Sequence, residues 1–317
     1  MSDVSLRFQE RCRITTDATA SSMPMTPPAH SCTDGVPTVR SSPLMSKRPV
    51  ALVTGANGEI GRSLIEALHR DGRYRIVTLD LSPLPEKYRP LCFETYAGNI
   101  LDRYLLDQLA AHHEIEAVFH LAALLSTRGE RDPELAHQIN VEGTLHLLRM
   151  AQSLTLRLDR AVKFVFPSSI AAYGIPTLEQ KRAYGRIRED QGLEPITMYG
   201  INKLYAEHLG RYFTHFFRQM GALSTASRLD FRSIRFPGLI SAETVPTGGT
   251  SDYGPEMLHA AAQGKPYACF VGPDARLPIE NEDRHLLTRV ERFALNINRT
   301  DSFNIGIGTE WPIEVVP

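Results

Sequence analysis

Thr54-Gly55-Ala56-Asn57-Gly58-Glu59-Ile60-Gly61 follows the apolar run Pro49-Val50-Ala51-Leu52-Val53 and precedes the amphipathic run Ser63-Leu64-Ile65-Glu66-Ala67-Leu68. Three glycines at this spacing, after a strand and opening a helix, form a loop shaped for a dinucleotide. Gly55 permits the tight turn, Gly58 lets a backbone approach a pyrophosphate, and Gly61 lets the helix pack closely on the strand, with the helix N-terminus facing the anion. Asn57, Glu59 and Ile60 complete the loop. Downstream, Ile76-Val77-Thr78-Leu79 reads as a second strand ending in Asp80, near the distance at which an acid meets ribose hydroxyls. A carboxylate there repels a 2′-phosphate, so NAD is expected rather than NADP.

Working outward, short β-branched runs alternate with helical patterns, as a parallel sheet with crossover helices requires. Strands are expected at Val50 to Thr54, Tyr74 to Leu79, Ala117 to His120, Val162 to Pro167 and Phe231 to Arg235. Helices are expected at Gly61 to Arg70, Leu101 to His112, Glu134 to Ser153 and Tyr199 to Met220, and Leu154 to Arg160 reads as an extended helix end and loop. The expected fold class is α/β, a Rossmann doubly wound parallel sheet over residues 47–236, with a smaller C-terminal substrate lobe over 237–317. Residues 1–46, rich in Ser, Thr and Pro, read as a disordered extension, with Met45 a candidate downstream start. A cytoplasmic location is expected. Arg7, Arg11 and Arg13 leave a mitochondrial transit peptide as the alternative, against which Asp3, Glu10 and Asp17 count.

Composition narrows the partners. With 35 basic and 36 acidic residues there is no bulk charge to hold nucleic acid or a membrane surface, and no apolar run is long enough to cross a bilayer. Cys12, Cys32, Cys92 and Cys269 are scattered without metal-site or disulfide spacing, so no metal is expected. A small-molecule substrate remains.

The chemistry is carried by Tyr199-Gly200-Ile201-Asn202-Lys203, which puts a phenol and an ammonium on one helix face. A neighbouring ammonium favours the phenolate, so the tyrosine is expected to act as a base. Phe166-Pro167-Ser168-Ser169 ends an intervening strand, where Ser169 is expected to hydrogen-bond the reacting oxygen, with Ser168 beside it. Ser126 and the Gly248-Gly249-Thr250 loop offer hydroxyl and backbone N–H groups for a substrate carboxylate.

At these residues the chain resembles the extended short-chain dehydrogenase/reductase superfamily, whose catalytic Ser-Tyr-Lys set falls on Ser169, Tyr199 and Lys203. The resemblance implies that Leu121, Ala122 and Ala123, in His120-Leu121-Ala122-Ala123, lie near the cofactor. It implies the same for Asn140 on the central helix, and that Asn99 with Ile100 stands where the family has an aspartate contacting adenine. Two longer stretches, His120 to Ser126 with Gly129-Glu130, and Arg235 to Ser241 with Gly248 to Tyr253, resemble the short-chain L-threonine 3-dehydrogenases. That likeness implies NAD-dependent oxidation of a 3-hydroxy amino acid and a homodimer through helices. After Pro278 the family's Met-rich segment is replaced by Ile279-Glu280-Asn281-Glu282-Asp283. Two readings stay open beside it: a nucleotide-sugar epimerase or dehydratase, and a catalytically silent NAD-binding protein.

Overall fold

In the computed structural model, residues 48–184, 187–218, 229–240, 248–272, 279–281 and 302–304 are described. Seven strands, β1 (Val50–Thr54), β2 (Arg75–Asp80), β3 (Glu94–Ala97), β4 (Ile115–His120), β5 (Lys163–Ser169), β6 (Asp230–Phe236) and β9 (Ser302–Asn304), form one sheet. Their order is β3-β2-β1-β4-β5-β6-β9, with every pairing parallel. The sheet is therefore the expected doubly wound one. Its strand order reverses between β1 and β4, the crevice in which such sheets bind ligands. A separate parallel pair, β7 (Gly238–Ile240) and β8 (Ile279–Asn281), follows.

All five residues of β1 are fully buried, as a central strand covered on both faces must be. Val50 and Leu52 face one core with Val118, Leu147 and Phe164, while Ala51 and Val53 face the other with Leu64, Ile65 and Phe119. β3 escaped the sequence reading because, as an edge strand with mostly exposed side chains, it carries no apolar alternation.

Helix α1 (Glu59–Asp71) buries Leu64, Ile65 and Leu68 and ends at Gly72, whose φ of 67° is the left-handed conformation that favours glycine. Helix α2 (Arg103–His112) starts at Asp102, whose carboxylate accepts from Leu105 N at 3.1 Å. Further on lie α3 (Ser126–Arg131), α4 (Pro133–His137), α5 (Gly143–Leu158), α6 (Leu178–Tyr184), α7 (Met198–His215) and α8 (Tyr253–Ala262). Among the described residues no helix is long and apolar enough to cross a membrane.

One helix expectation is corrected. The single helix over Glu134 to Ser153 is instead α4, a π-helical segment at Gln138–Glu142, and α5. The wider turn frees the Asn140 carbonyl, which accepts from Thr144 Oγ1 at 2.6 Å, and turns the Asn140 side chain inward. From Leu154 the expected helix end and loop are both present: α5 continues to Leu158 and ends at Asp159 with φ 51°, and a turn leads on to β5. Leu154 is buried in the core, which favours the extra turn. The extension over residues 1–46 lies outside the described residues.

Candidate active site

The glycine loop is built by close main-chain approach. Gly55, at φ 67°, would put a Cβ 2.5 Å from Ala122 N, and Gly61 would put one 2.5 Å from Gly55 O, so neither admits a side chain without backbone movement. Gly58 differs: a Cβ there would meet only Gly55 O, at 3.2 Å. It precedes α1, whose N-terminus no side chain caps. An uncapped helix start beside an open Cβ position fits a dinucleotide pyrophosphate, because the first-turn N–H groups and the helix dipole attract an anion.

Asp80 anchors this loop. Its Oδ2 accepts from Asn57 N at 2.9 Å, and its Oδ1 accepts from Ser82 N at 3.1 Å. Asn57 in turn donates from Nδ2 to Ser82 Oγ at 2.9 Å and accepts at Oδ1 from Arg62 Nη2 at 3.0 Å. The carboxylate keeps lone pairs for ribose hydroxyls. Glu59 and Ile60 open the first turn of α1. Next to β1, Leu121 N donates to Thr54 O at 3.0 Å, Ala122 lies against Gly55, and Ala123 follows it in the chain. Asn99 Oδ1 accepts from Leu101 N at 3.0 Å in the turn before α2, and Ile100 is buried against α5 at Gly143.

Under that wall lies a chain of buried polar groups. His120 bonds Thr54 Oγ1 through Nδ1 at 2.8 Å and Thr144 Oγ1 through Nε2 at 2.9 Å. The Thr144 hydroxyl proton is committed to the Asn140 carbonyl, so His120 donates from Nε2 and accepts at Nδ1. Burial, with the Lys203 charge nearby, pushes the imidazole pKa down to about 3. His120 is thus a neutral bracing residue. Asn140 spends its amide on the backbone of Leu124, accepting from its N at 2.7 Å and donating to its O at 3.0 Å, and reaches Asn202 Oδ1 at 3.5 Å. It shapes the loop that leads to Ser126.

The structure brings the two ends of the Ser-Tyr-Lys set together at the tip of β5. Gly200 rests on the turn after β5 so tightly that a Cβ would lie 2.0 Å from Ala171 O. This seats Tyr199 over the turn that Ser169 caps by accepting from Ala171 N at 3.1 Å. Lys203 Nζ donates to Pro167 O at 2.6 Å and lies 5.3 Å from the Tyr199 ring centre. The N-terminus of α7 is fixed by Thr197 Oγ1, accepting from Gly200 N at 3.1 Å, and by Glu130 of α3, accepting from Met198 N at 2.7 Å.

Three expectations are corrected here. Lys203 makes no hydrogen bond to the Tyr199 phenol in this arrangement: one of its three N–H groups is donated to Pro167 O, and Nζ stands 5.3 Å from the Tyr199 ring centre. Desolvation holds the Tyr199 pKa well above that of a free phenol and brings Lys203 down to about 7, opposed by Glu207. Ser168 is not a substrate contact. Strand alternation turns it away from Ser169, and its buried hydroxyl donates to Glu207 Oε1. Gly248 and Gly249 do not offer free N–H groups, since both donate to Asp252 Oδ2, at 2.9 and 2.7 Å. That loop nevertheless docks where expected: Thr250 N donates to Ser126 Oγ at 2.8 Å, and Thr127 N to Gly248 O at 3.3 Å.

Sequence reasoning missed Glu207 and Arg235 as members of this site. Both are buried, and Arg235 donates from Nε to Glu207 Oε1 at 2.8 Å and from Nη2 to Oε2 at 2.7 Å. Burial works against the guanidinium charge, but the Glu207 bonds and charge outweigh it and raise the Arg235 pKa. Glu207 lies one turn beyond Lys203 on the same face, a signal the sequence did carry. Among the described residues no cluster of three His, Cys, Asp or Glu is placed to hold a metal.

Residues 51–275 match the NAD dependent epimerase/dehydratase family. The mitochondrial L-threonine 3-dehydrogenase of Bos taurus is 33% identical over 241 residues, which cover 76% of this chain and 59% of that relative's length. The match thus leaves more than a third of the relative uncovered. A solved partial consensus L-threonine 3-dehydrogenase is similar with a TM-score of 0.68 at 33% identity, covering 81% of this chain and 77% of that one. MoeE5, solved in complex with UDP-glucuronic acid and NAD, gives a TM-score of 0.61 at 25% identity, with 82% and 76% covered.

Proposed function

The chain belongs to the NAD dependent epimerase/dehydratase family, and on that premise we propose that it binds NAD and oxidises the side-chain hydroxyl of L-threonine, or of a related 3-hydroxy amino acid, to the 3-oxo acid. The observation that carries the reading is the joint placement of Ser169, Tyr199 and Lys203 at the tip of β5, beside a glycine loop fit for a dinucleotide. The L-threonine 3-dehydrogenase relatives support the substrate class. When bound, NAD accepts the hydride from the carbinol carbon. Ser169 orients the substrate hydroxyl, and Tyr199 as phenolate removes its proton. Lys203, on the same face of α7, stabilises the phenolate once the ammonium turns toward it. The small amino acid asks for no diphosphate clamp, and from Pro237 to Leu277 the only Lys or Arg residues are Arg276 and Lys265. Its Nζ donates to Gln263 Oε1 at 2.7 Å, far from a clamp's arrangement. That counts against a nucleotide sugar, the substrate type of the epimerase reading.

The deciding experiment measures NAD affinity by calorimetry and then NADH formation with L-threonine, other 3-hydroxy amino acids and UDP-sugars. NADH from threonine is the expected result. NAD binding with no NADH from any hydroxy amino acid would sink the reading, and turnover of a UDP-sugar would replace it.

We also propose that the chain forms a homodimer through α7. Ile201, Tyr205, Tyr212 and Phe216 recur at intervals of four and seven along one face and are exposed, an apolar stripe suited to a second copy of itself. Solution mass by light scattering checks this. Tyr205→Glu with Tyr212→Glu is expected to yield a monomer.

A further inference from the structure

Side chains from two strands converge on the buried Glu207 carboxylate, and its own helix holds the strand beside it. From β6, Arg235 grips both carboxylate oxygens. From β5, the Ser168 hydroxyl donates to Oε1. From its own helix, Lys203 one turn earlier holds the adjacent residue of β5 through Pro167 O at 2.6 Å. Helix α7 therefore clasps the end of β5 at two consecutive residues, Pro167 and Ser168, immediately before Ser169. Arg235 extends the clasp outward. Its Nη1 donates to Glu189 O at 2.9 Å, and its guanidinium lies 4.8 Å from the ring centre of Tyr173. It thereby ties down two segments that precede Tyr199 in the chain, at Tyr173 and at Glu189.

A buried ion pair is weak evidence for stability, because an apolar pair of similar volume serves a core as well or better. The geometry here gives the pair a different use. We propose, building on the NAD-dehydrogenase reading, that Glu207, neutralised by Arg235, is a positioning residue: through the Ser168 hydroxyl it locks the end of β5 so that Ser169 faces Tyr199. The same carboxylate supports the charge of Lys203. Ser168 of β5 and Arg235 of β6 bond this carboxylate, the Arg235 guanidinium lies over Tyr173, and Lys203 lies beside the rings of Tyr199 and Phe166 with its charge felt at His120 of β4.

The test separates this from a purely structural role and from the choice of substrate. In the protein without NAD, carbon NMR of labelled lysine follows Lys203, identified by the resonance lost in Lys203→Met. Glu207→Gln keeps an acceptor for Ser168 and removes the charge, and is expected to lower the Lys203 midpoint by at least about half a pH unit. Ser168→Ala leaves the Glu207–Arg235 pair intact and is expected to shift the Ser169 amide resonance and cut kcat about tenfold, with KM and NAD affinity held. Ser168→Thr restores the hydroxyl and is expected to rescue both. If Glu207→Gln does not fold, the double variant Glu207→Met with Arg235→Met replaces the buried charges with apolar groups and is expected to fold with the Ser169 amide displaced and the Lys203 midpoint lowered. An unmoved Lys203 midpoint, or a Ser169 amide unchanged in Ser168→Ala, overturns the proposal. Both readouts need no substrate, so failure of threonine turnover leaves them standing.

Discussion

The two walls of the crevice are made in different ways. At the glycine loop the contacts are main chain against main chain: Gly55 lies on Ala122 N, and Gly61 on Gly55 O. At the tip of β5 they are side chains, several of them charged and buried: Lys203, Glu207 and Arg235. Where backbone lies on backbone, at Gly55 and Gly61, the first wall tolerates no added atom. A wall of buried charges tolerates isosteric change and responds to pH. Substitutions at Gly55 and Gly61 are expected to strike folding and NAD affinity together, whereas isosteric changes at the second wall strike turnover.

The largest effect expected is on turnover. Tyr199→Phe removes the proposed base and is expected to lower kcat by about 100- to 10,000-fold, with NAD affinity near that of the parent. Retained activity would break the comparison at its strongest point. In the parent, desolvation holds the phenol pKa high, so kcat is expected to climb with pH through the neutral and mildly alkaline range, by up to about tenfold per unit where proton loss limits it. A flat profile over that range would show that another group takes the proton.

Next comes Gly55→Ala. A residue with a Cβ is strained at φ 67°, and the new atom meets Ala122 N at 2.5 Å. The combined penalty is expected to reach at least about 3 kcal/mol, read as a lower denaturation midpoint accompanied by loss of NAD binding. Stability and affinity falling separately would show that the loop is not a single backbone unit.

A milder effect lies in the His120 brace between the walls. Its folded pKa of about 3 lies below the ordinary 6.5, so the unfolded chain binds one more proton between those values. Stability contributed by the neutral imidazole is complete above about pH 6.5 and is lost as pH falls toward about 3. His120→Gln is expected to be less stable at neutral pH but to lose less on acidification. Parallel acid curves for the two proteins would refute the assignment.

The contrast also explains what could be read in advance. Gly55, Gly58, Gly61 and Asp80 are legible because main-chain geometry forces residue type and spacing. Tyr199 and Lys203 are legible because one helical turn does the same. Their pKa values were not, since burial and the bond to Pro167 O depend on β5, a distant segment. Ser168 was misread because two adjacent hydroxyls look alike in sequence while a strand turns them to opposite faces. The Gly248-Gly249 donors were misread for a related reason. A glycine turn advertises its N–H groups, but the acceptor that takes them, Asp252, is identified only by the fold.

Gly58→Ala is the smallest change to the free protein and the sharpest test of the backbone wall. A Cβ there lies 3.2 Å from Gly55 O, a contact relieved by a shift of a few tenths of an ångström, and the residue already has φ −71°. The expected cost to stability is within about 0.5 kcal/mol. Yet the methyl group would stand at the uncapped start of α1, where a pyrophosphate must approach the backbone. NAD affinity is therefore expected to fall about tenfold or more while the denaturation midpoint barely moves. Unchanged affinity would mean that the glycines only turn the chain. Affinity lost without stability would identify Gly58 as the point where the loop is shaped for a ligand and not for the fold, in contrast to Gly55.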